Sequence, residues 1–329
     1  MAQISKKSVL LTGAAGFIGF HTALALHARG DEVIGVDNFN SYYDPSLKRA
    51  RAALLAEKGI EVIEGDLSVN GTLQRIADRY PHAITHLLHL AAQAGVRYSL
   101  ENPLAYTEAN VTGFLHVLEL ARELKKVPLI YASSSSVYGA NTVLPYAEND
   151  RTDSPVSLYA ATKKANEAMA HAYHHLYGFP TVGLRFFTVY GPWGRPDMAY
   201  YSFTEAIAAG KPIRVFASSD HPVARDFTYI DDIVAGILAA LDRAEGFGYE
   251  LFNLGNCHPE PLEQMISYLE ELIGKRAERI VEAAAPGDVR KTWADLSKSR
   301  KCLGYAPKIS LREGLRRFVE WYQGASLKV

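Results

Sequence analysis

The 329-residue chain predicts a doubly wound α/β fold, a parallel sheet with helices on both faces, followed by a smaller C-terminal substrate-binding part. Three observations carry this expectation. Short apolar runs alternate with longer helix-patterned stretches as far as Phe187, and strand–helix alternation needs the crossover connections of a parallel sheet. A glycine-rich turn joins the first apolar run to the first helix. Beyond Phe187 the rhythm breaks at Gly191-Pro-Trp-Gly-Arg-Pro196, and later elements are shorter and punctuated by Gly and Pro.

Taken in order, Ser8-Val-Leu-Leu-Thr12 is a short apolar run of buried-strand type, and 16–29 is the helix after it. Strands follow at 32–37, 60–65, 84–91, 128–133 and 181–187, with helices at 45–58, 73–79, 103–126 and 157–177. Residues 1–187 form the expected nucleotide-binding domain, with a later segment, about 229–253, returning to it. Residues 188–329 are mainly the second domain. A ligand cleft belongs between the two, outside the carboxyl ends of the strands.

Composition narrows the class. Hydrophobic residues make up 48% and charged residues 22%, the balance of a soluble globular protein with a substantial core. Lys and Arg total 35 against 36 Asp and Glu, so no basic field favours nucleic acid. No apolar run approaches the roughly 18 residues of a membrane span, and the N-terminus lacks the apolar stretch of a signal peptide. A cytoplasmic enzyme is the expectation. Cys257 and Cys302 stand far apart, which argues against a disulfide framework or a zinc module. His171, His174 and His175 share a helix, but without an HExxH motif or an evident third ligand they read as a solvated or interface face, and no metal is expected.

Two motifs carry chemistry. Thr12-Gly-Ala-Ala-Gly16-Phe-Ile-Gly19 follows the first strand and opens a helix, so its N-terminal amides are placed to receive a pyrophosphate. Its GxxGxxG spacing is one residue wider than the usual form, and glycines alone also punctuate turns; position decides between the readings. Asp37 ends the second strand 18 residues after Gly19. A carboxylate there accepts hydrogen bonds from both ribose hydroxyls and repels a 2′-phosphate, favouring NAD over NADP. The second motif is Tyr159-Ala-Ala-Thr-Lys163. Residues four apart share a helix face, so a lysine cation near the phenol would stabilise its phenolate and make it a usable base.

With Gly13, Gly16, Gly19, Asp66-Leu67, Leu90-Ala91-Ala92, Asn110, the serine run 133–136, Tyr159 and Lys163, the chain resembles the extended short-chain dehydrogenase/reductase family. The resemblance spans nearly the whole chain, including Arg225-Asp-Phe-Thr-Tyr-Ile-Asp-Asp232 and Pro286-Gly-Asp-Val-Arg290. Within the family it is most similar to UDP-glucuronate 4-epimerases, through Asp37-Asn-Phe-Asn-Ser-Tyr-Tyr-Asp44, Gln93-Ala-Gly-Val-Arg97 and the run from Arg185 to Met198.

The resemblance implies a tightly held NAD, recycled each turnover and bound by Gly13, Ala15, Gly16, Phe17, Ile18, Gly19, Asp37, Asn38, Asp66, Leu67, Leu90, Ala91, Ala92, Gln93, Asn110, Tyr159 and Lys163. It implies catalysis by Tyr159, Lys163 and Ser134, and a UDP-sugar held by Arg97, Ser134, Ser135, Ser136, Thr188, Arg195, Val215, Phe216, Arg225, Asp288 and Arg290. The loop of Tyr42 and Tyr43 falls near the cofactor, Arg185 reads as structural, and the helices 103–126 and 157–177 resemble those of a four-helix homodimer interface. Ser135 and Ser136 stand where related dehydratases carry an Asp-Glu pair and where decarboxylases carry a Glu at the second position, so dehydration is disfavoured. The expected reaction is 4-epimerisation of UDP-glucuronate to UDP-galacturonate. The alternatives are a UDP-glucose or UDP-N-acetylhexosamine 4-epimerase and a non-catalytic NAD-binding regulator.

Overall fold

The computed structural model describes residues 6–124, 127–216, 223–282 and 289–326. Its strands are β1 (Ser8–Thr12), β2 (Glu32–Asp37), β3 (Val62–Glu64), β4 (His86–His89), β5 (Leu129–Ser134), β6 (Thr181–Phe186), β7 (Thr188–Tyr190), β8 (Ile213–Phe216), β9 (Ala224–Tyr229), β10 (Tyr249–Leu254), β11 (Pro259–Pro261) and β12 (Arg279–Glu282). Seven of them form one parallel sheet in the order β10-β6-β5-β4-β1-β2-β3. The chain runs outward from β1 to β2 and β3, then crosses to β4 on the other side, so the switch point lies between the carboxyl ends of β1 and β4.

Alternation along β1 explains the layers. Val9 and Leu11 join the core under the helices Phe17–Ala28 and Ile230–Arg243, while Leu10 points to the opposite core with Phe114, Val117, Leu118 and Ala170. A strand buried on both faces reads as a continuous apolar run, which is why the sequence marks it so clearly.

The structure trims several expected elements. The third and fourth strands span Val62–Glu64 and His86–His89, shorter than 60–65 and 84–91. The expected helix 103–126 is interrupted: Pro103–Tyr106 leads into a π-helical turn, Thr107–Thr112, before the α-helix Gly113–Glu123 resumes, and Lys125 and Lys126 lie outside the described residues. Beyond β6, a three-stranded sheet (β11-β9-β7) and a two-stranded one (β12-β8) pack with the helices Ala199–Ala208, Leu262–Ile273 and Leu311–Ser326. The helix Ile230–Arg243 and β10 return to the large sheet, where β10 pairs with β6. Among the described residues no helix is long and apolar enough to cross a membrane.

Candidate active site

The glycine turn is built by close approach. Gly13 sits at φ +73°, and a Cβ there would meet the Ala91 nitrogen at 2.6 Å. A Cβ on Gly19 would fall 2.0 Å from the Gly13 carbonyl oxygen, so the helix Phe17–Ala28 packs onto its own entry turn only because both positions are glycine. Gly16 caps that helix without a side chain, leaving its first-turn N–H groups unpaired by any cap. At the end of β2, Asp37 is buried; its Oδ2 accepts from the Ala15 N–H at 3.1 Å and its Oδ1 from the Phe39 N–H at 2.9 Å. Asn38 Nδ2 donates to Asp66 Oδ2 at 3.2 Å. Burial would raise the Asp66 carboxyl, but hydrogen bonds from Ser68 and Asn38 outweigh it and hold the group below its usual range.

These residues open onto one cleft at the switch point. It is lined by Gly13, Gly16, Phe17, Ile18, Gly19, Asp37, Asn38, Asp66, Leu67, Leu90, Ala91, Ala92 and Gln93, and also by Ser134, Tyr159, Lys163 and Arg195. The donor set suits a dinucleotide: uncapped helix amides for a pyrophosphate, a strand-end carboxylate for a ribose, and apolar walls for the rings. Ala15 and Asn110 stand behind the lining. Asn110, in the π-turn, accepts from the Gln93 N–H at 2.8 Å, donates to the Gln93 carbonyl at 3.0 Å and to Thr162 Oγ1 at 3.0 Å, and receives Asn166 Nδ2 on its own carbonyl at 2.6 Å. It thereby pins the Gln93 loop to the helix Leu158–Tyr177.

That helix carries Tyr159 and Lys163, and its N-terminus is capped by Ser157, whose hydroxyl accepts from the Ala160 N–H at 3.1 Å. Lys163 is almost fully buried and donates to the Ala132 carbonyl at 3.0 Å; burial pushes its ammonium down to about 8. Burial raises the Tyr159 phenol, opposed by the Ser134 hydroxyl and by the positive field of Arg195. The sequence pattern points to Lys163 as the cation acting on the phenol; in the structure its ammonium is engaged by the Ala132 carbonyl, and its field bears on buried His89, which burial and Lys163 together push down to about 3.

Ser134 ends β5, and its Oγ accepts from the Ser136 N–H at 3.2 Å, starting the tight turn Ser135–Tyr138. Ser135 and Ser136 are half-buried on this turn, as is Thr188 at the start of β7. Ser133 points the other way, donating to Glu167 Oε1 at 2.7 Å. Glu167 is paired in turn with Arg185 at 2.8 and 2.9 Å, and both side chains are sealed from solvent.

Arg195, in the cleft lining, holds Asp197, and the Tyr42 hydroxyl reaches the same carboxylate at 3.0 Å. Arg97 stacks on the Phe216 ring at 3.7 Å. The Val215 side chain is buried in the core, facing away from Phe216. Arg225 and Arg290 are brought together: Arg225 Nη1 donates to the Arg290 carbonyl at 3.1 Å. Next along the strand, buried Asp226 accepts the N–H groups of Asn256, Cys257 and Ala294. Asp288 lies outside the described residues. Of the histidines on the long helix, His174 Nδ1 pairs with the Phe179 carbonyl at 2.9 Å and His171 packs on Tyr249.

Sequence reasoning missed Lys48, Arg51 and Asp197. Lys48 lines the cleft and donates to Asn40, at 3.0 Å to its carbonyl and 2.6 Å to its side chain. Arg51 has no solvent exposure; it donates to the carbonyls of Ala15, Trp193 and Gly194 and to the Tyr43 hydroxyl. The available signal was their i, i+3 spacing on one helix face, which is equally the pattern of a solvated face.

Comparison with known proteins agrees with this geometry. Residues 9–255 match the family model described as "NAD dependent epimerase/dehydratase family". The chain is 53% identical to UDP-glucuronate 4-epimerase 3 of Arabidopsis thaliana, over 96% of this chain and 76% of that one. It is 48% identical to an uncharacterized protein of Methanocaldococcus jannaschii, over 96% of both. Among solved structures, the UDP-glucuronic acid 4-epimerase of Bacillus cereus in complex with UDP-glucuronic acid and NAD superimposes with a TM-score of 0.89 at 34% identity, covering 97% of this chain and 99% of that one. The UDP-glucose 4-epimerase of Thermus thermophilus, in complex with NAD, gives 0.85 at 30% identity, with the same coverage.

Proposed function

The chain belongs to the NAD-dependent epimerase/dehydratase family, and on that premise we propose that it interconverts UDP-glucuronate and UDP-galacturonate by 4-epimerisation. The observation that carries the reading is a single cleft lined by the dinucleotide turn, Ser134 and Tyr159, with the all-hydroxyl turn of Ser135 and Ser136 starting directly from Ser134. The identity to named UDP-glucuronate 4-epimerases, above one half, supports the same substrate.

NAD, held by the cofactor residues named above, supplies a hydride acceptor and donor. Tyr159 takes the C4 hydroxyl proton as C4 is oxidised and returns it on reduction, with Ser134 hydrogen-bonding the reacting oxygen. Lys163 holds the helix against β5 and keeps a cation in the lining of the cleft. Oxidising C4 of a uronate makes a β-keto acid, which loses CO2 when its carboxylate bond aligns with the carbonyl π-system. Ser135, Ser136 and Thr188 hold that carboxylate out of alignment, as neutral donors without the repulsion of an acidic side chain. Arg225 and Arg290, with Asp288, serve the diphosphate side; Arg97, Arg195, Phe216 and the strand segment at Val215 complete the UDP-sugar site. In this scheme residues 1–187, with the returning segment 229–253, hold NAD, and 188–329 mainly hold the UDP-sugar.

The test is parallel NMR assay on UDP-glucuronate and UDP-glucose, without added oxidant. Wild type converts the uronate with no build-up of NADH, and Tyr159→Phe binds NAD but loses nearly all turnover. Turnover of UDP-glucose alone selects the neutral-hexose reading, turnover of neither sugar the regulator. Thr188→Ala and Ser136→Ala raise the share of decarboxylated UDP-pentose. We also propose a homodimer through the helices around 103–126 and 157–177, where Leu104 and Leu176 are 69% and 67% exposed in the single chain. Light scattering should return twice the chain mass, and Leu104→Asp should halve it.

A further inference from the structure

The Arg195 guanidinium is gripped by both oxygens of Asp197, Nε to Oδ1 at 3.0 Å and Nη2 to Oδ2 at 2.5 Å. The Tyr42 hydroxyl donates to Oδ2 at 3.0 Å, and its ring centroid lies 5.7 Å from the guanidinium carbon. Tyr42 is itself wedged in place. Its ring meets Tyr98 at 4.7 Å, and its hydroxyl approaches Gly95 so closely that an added Cβ would stand 2.4 Å away. A loop from the first half of the chain therefore clamps a carboxylate from the second half, and that carboxylate clamps a cation facing the cleft.

The cation matters because of what surrounds Tyr159. The Ser134 hydroxyl and the edge-on ring of Tyr106, at 6.1 Å, flank the phenol, while Lys163 on the same helix is turned to the Ala132 carbonyl. Arg195 lines the same cleft as Tyr159, and its positive field favours the phenolate there; the same field is felt by Lys48, Tyr42, Tyr106 and Tyr200. A bidentate carboxylate offsets much of a guanidinium's field at a distance, and its hold decides where the cation sits.

We propose that Asp197, secured by Tyr42, is a positioning residue that fixes the place of Arg195 and the share of its positive field that reaches the Tyr159 hydroxyl. The inference rests on the reading of Tyr159 as the acid/base. It adds two residues, Asp197 and Tyr42, that act through Arg195 and need not touch the reacting atoms.

The experiment is the pH dependence of kcat/KM for UDP-glucuronate, which reports groups of the free enzyme, run beside a phenolate absorbance titration of the holoenzyme. In each background the titration is taken as the difference between proteins with Tyr159 and with Phe at that position. Asp197→Asn should move both curves to lower pH, because the cation is no longer offset. Well below the midpoint, kcat/KM relative to its plateau should rise about threefold or more. Arg195→Met should move both the opposite way, and Asp197→Glu should return them to wild type. Tyr42→Phe, which keeps the ion pair but loosens it, should move them a smaller distance in the direction of Asp197→Asn. If Asp197→Asn does not fold, Asp197→Ser removes the same charge and is read identically. Curves that stay on wild type, or move to higher pH, when the carboxylate is removed overturn the proposal. Wild-type turnover by Tyr159→Phe would instead remove the acid/base reading on which it rests, so the two failures are distinct.

Discussion

Lys163 donates to the Ala132 carbonyl while burial lowers its ammonium from 10.5 to about 8, a depression that corresponds to roughly 3 kcal/mol of destabilisation when the group is charged. The unfolded chain binds the proton more tightly, so this cost is fully present below about pH 8 and disappears as pH rises toward the ordinary lysine value. Lys163→Met removes the cost but leaves the Ala132 carbonyl unpaired, returning about 1 kcal/mol. The mutant without cofactor should therefore be more stable than wild type by about 2 kcal/mol at pH 7 in urea unfolding, with the gain fading above pH 8, while turnover is lost. A stability difference that does not change with pH would show that Lys163 is not held against its charge. At this scale legibility follows backbone demand. Gly13, Gly19 and Asp37 are readable because a turn, a helix contact and a strand end require those residue types locally. Arg51 is unreadable because the carbonyl it meets on Trp193 lies 142 residues away along the chain.

The helix Leu158–Tyr177 is fixed to the sheet by a buried relay: Ser133 of β5 donates to Glu167, and Glu167 pairs with Arg185 of β6. The Arg185 guanidinium lies 4.8 Å from the Tyr138 ring centroid and also donates to the Glu148 carbonyl. Removing one partner of such a pair strands a buried charge, which costs about 3–5 kcal/mol, whereas removing both costs less. Glu167→Gln should thus lower the denaturant midpoint more than the double change Glu167→Gln with Arg185→Met does. A single mutant no less stable than the double would show that the pair is not coupled. The sequence could suggest that Arg185 is structural, but not its partner, because an acid in the middle of a long helix looks the same whether it faces solvent or a strand. The interrupted helix near 103–126 escaped for a related reason. A π-turn adds one residue to a turn, a single shift of phase that a short apolar pattern does not mark, and here Asn166 donates to the carbonyl of Asn110.

One set of long-range contacts joins the two halves of the molecule around the loop 191–197, beside the cofactor turn. His21, on the helix after the glycine turn, pairs with the Pro192 carbonyl at 2.9 Å; Trp193 packs between Phe20 and Trp321; Arg51 ties the Ala15 carbonyl to those of Trp193 and Gly194. Alternating strands and helices disclose the sheet in the sequence, but nothing local discloses this seam, since the contacts made by Pro192, Trp193 and Gly194 across it join residues more than a hundred positions apart. Burial lowers His21 to about 4, so it is neutral in the folded protein, and its share of stability should fall as pH drops below 6.5 toward 4. Arg51 makes the sharper test. Its guanidinium is fully buried, and among the described residues its partners are three carbonyls and a hydroxyl, so replacing it with Met leaves acceptors on both sides of the seam unpaired. Hydrogen exchange on Arg51→Met should then show the glycine turn at 13–19 and the loop at 191–197 losing protection together, by about tenfold or more, while the strands β4, β5 and β6 stay protected. Arg51→Lys, with three donors in place of five and no planar fork, should fall between the two. If only one of the two segments loosens, Arg51 braces that segment alone and does not couple the two.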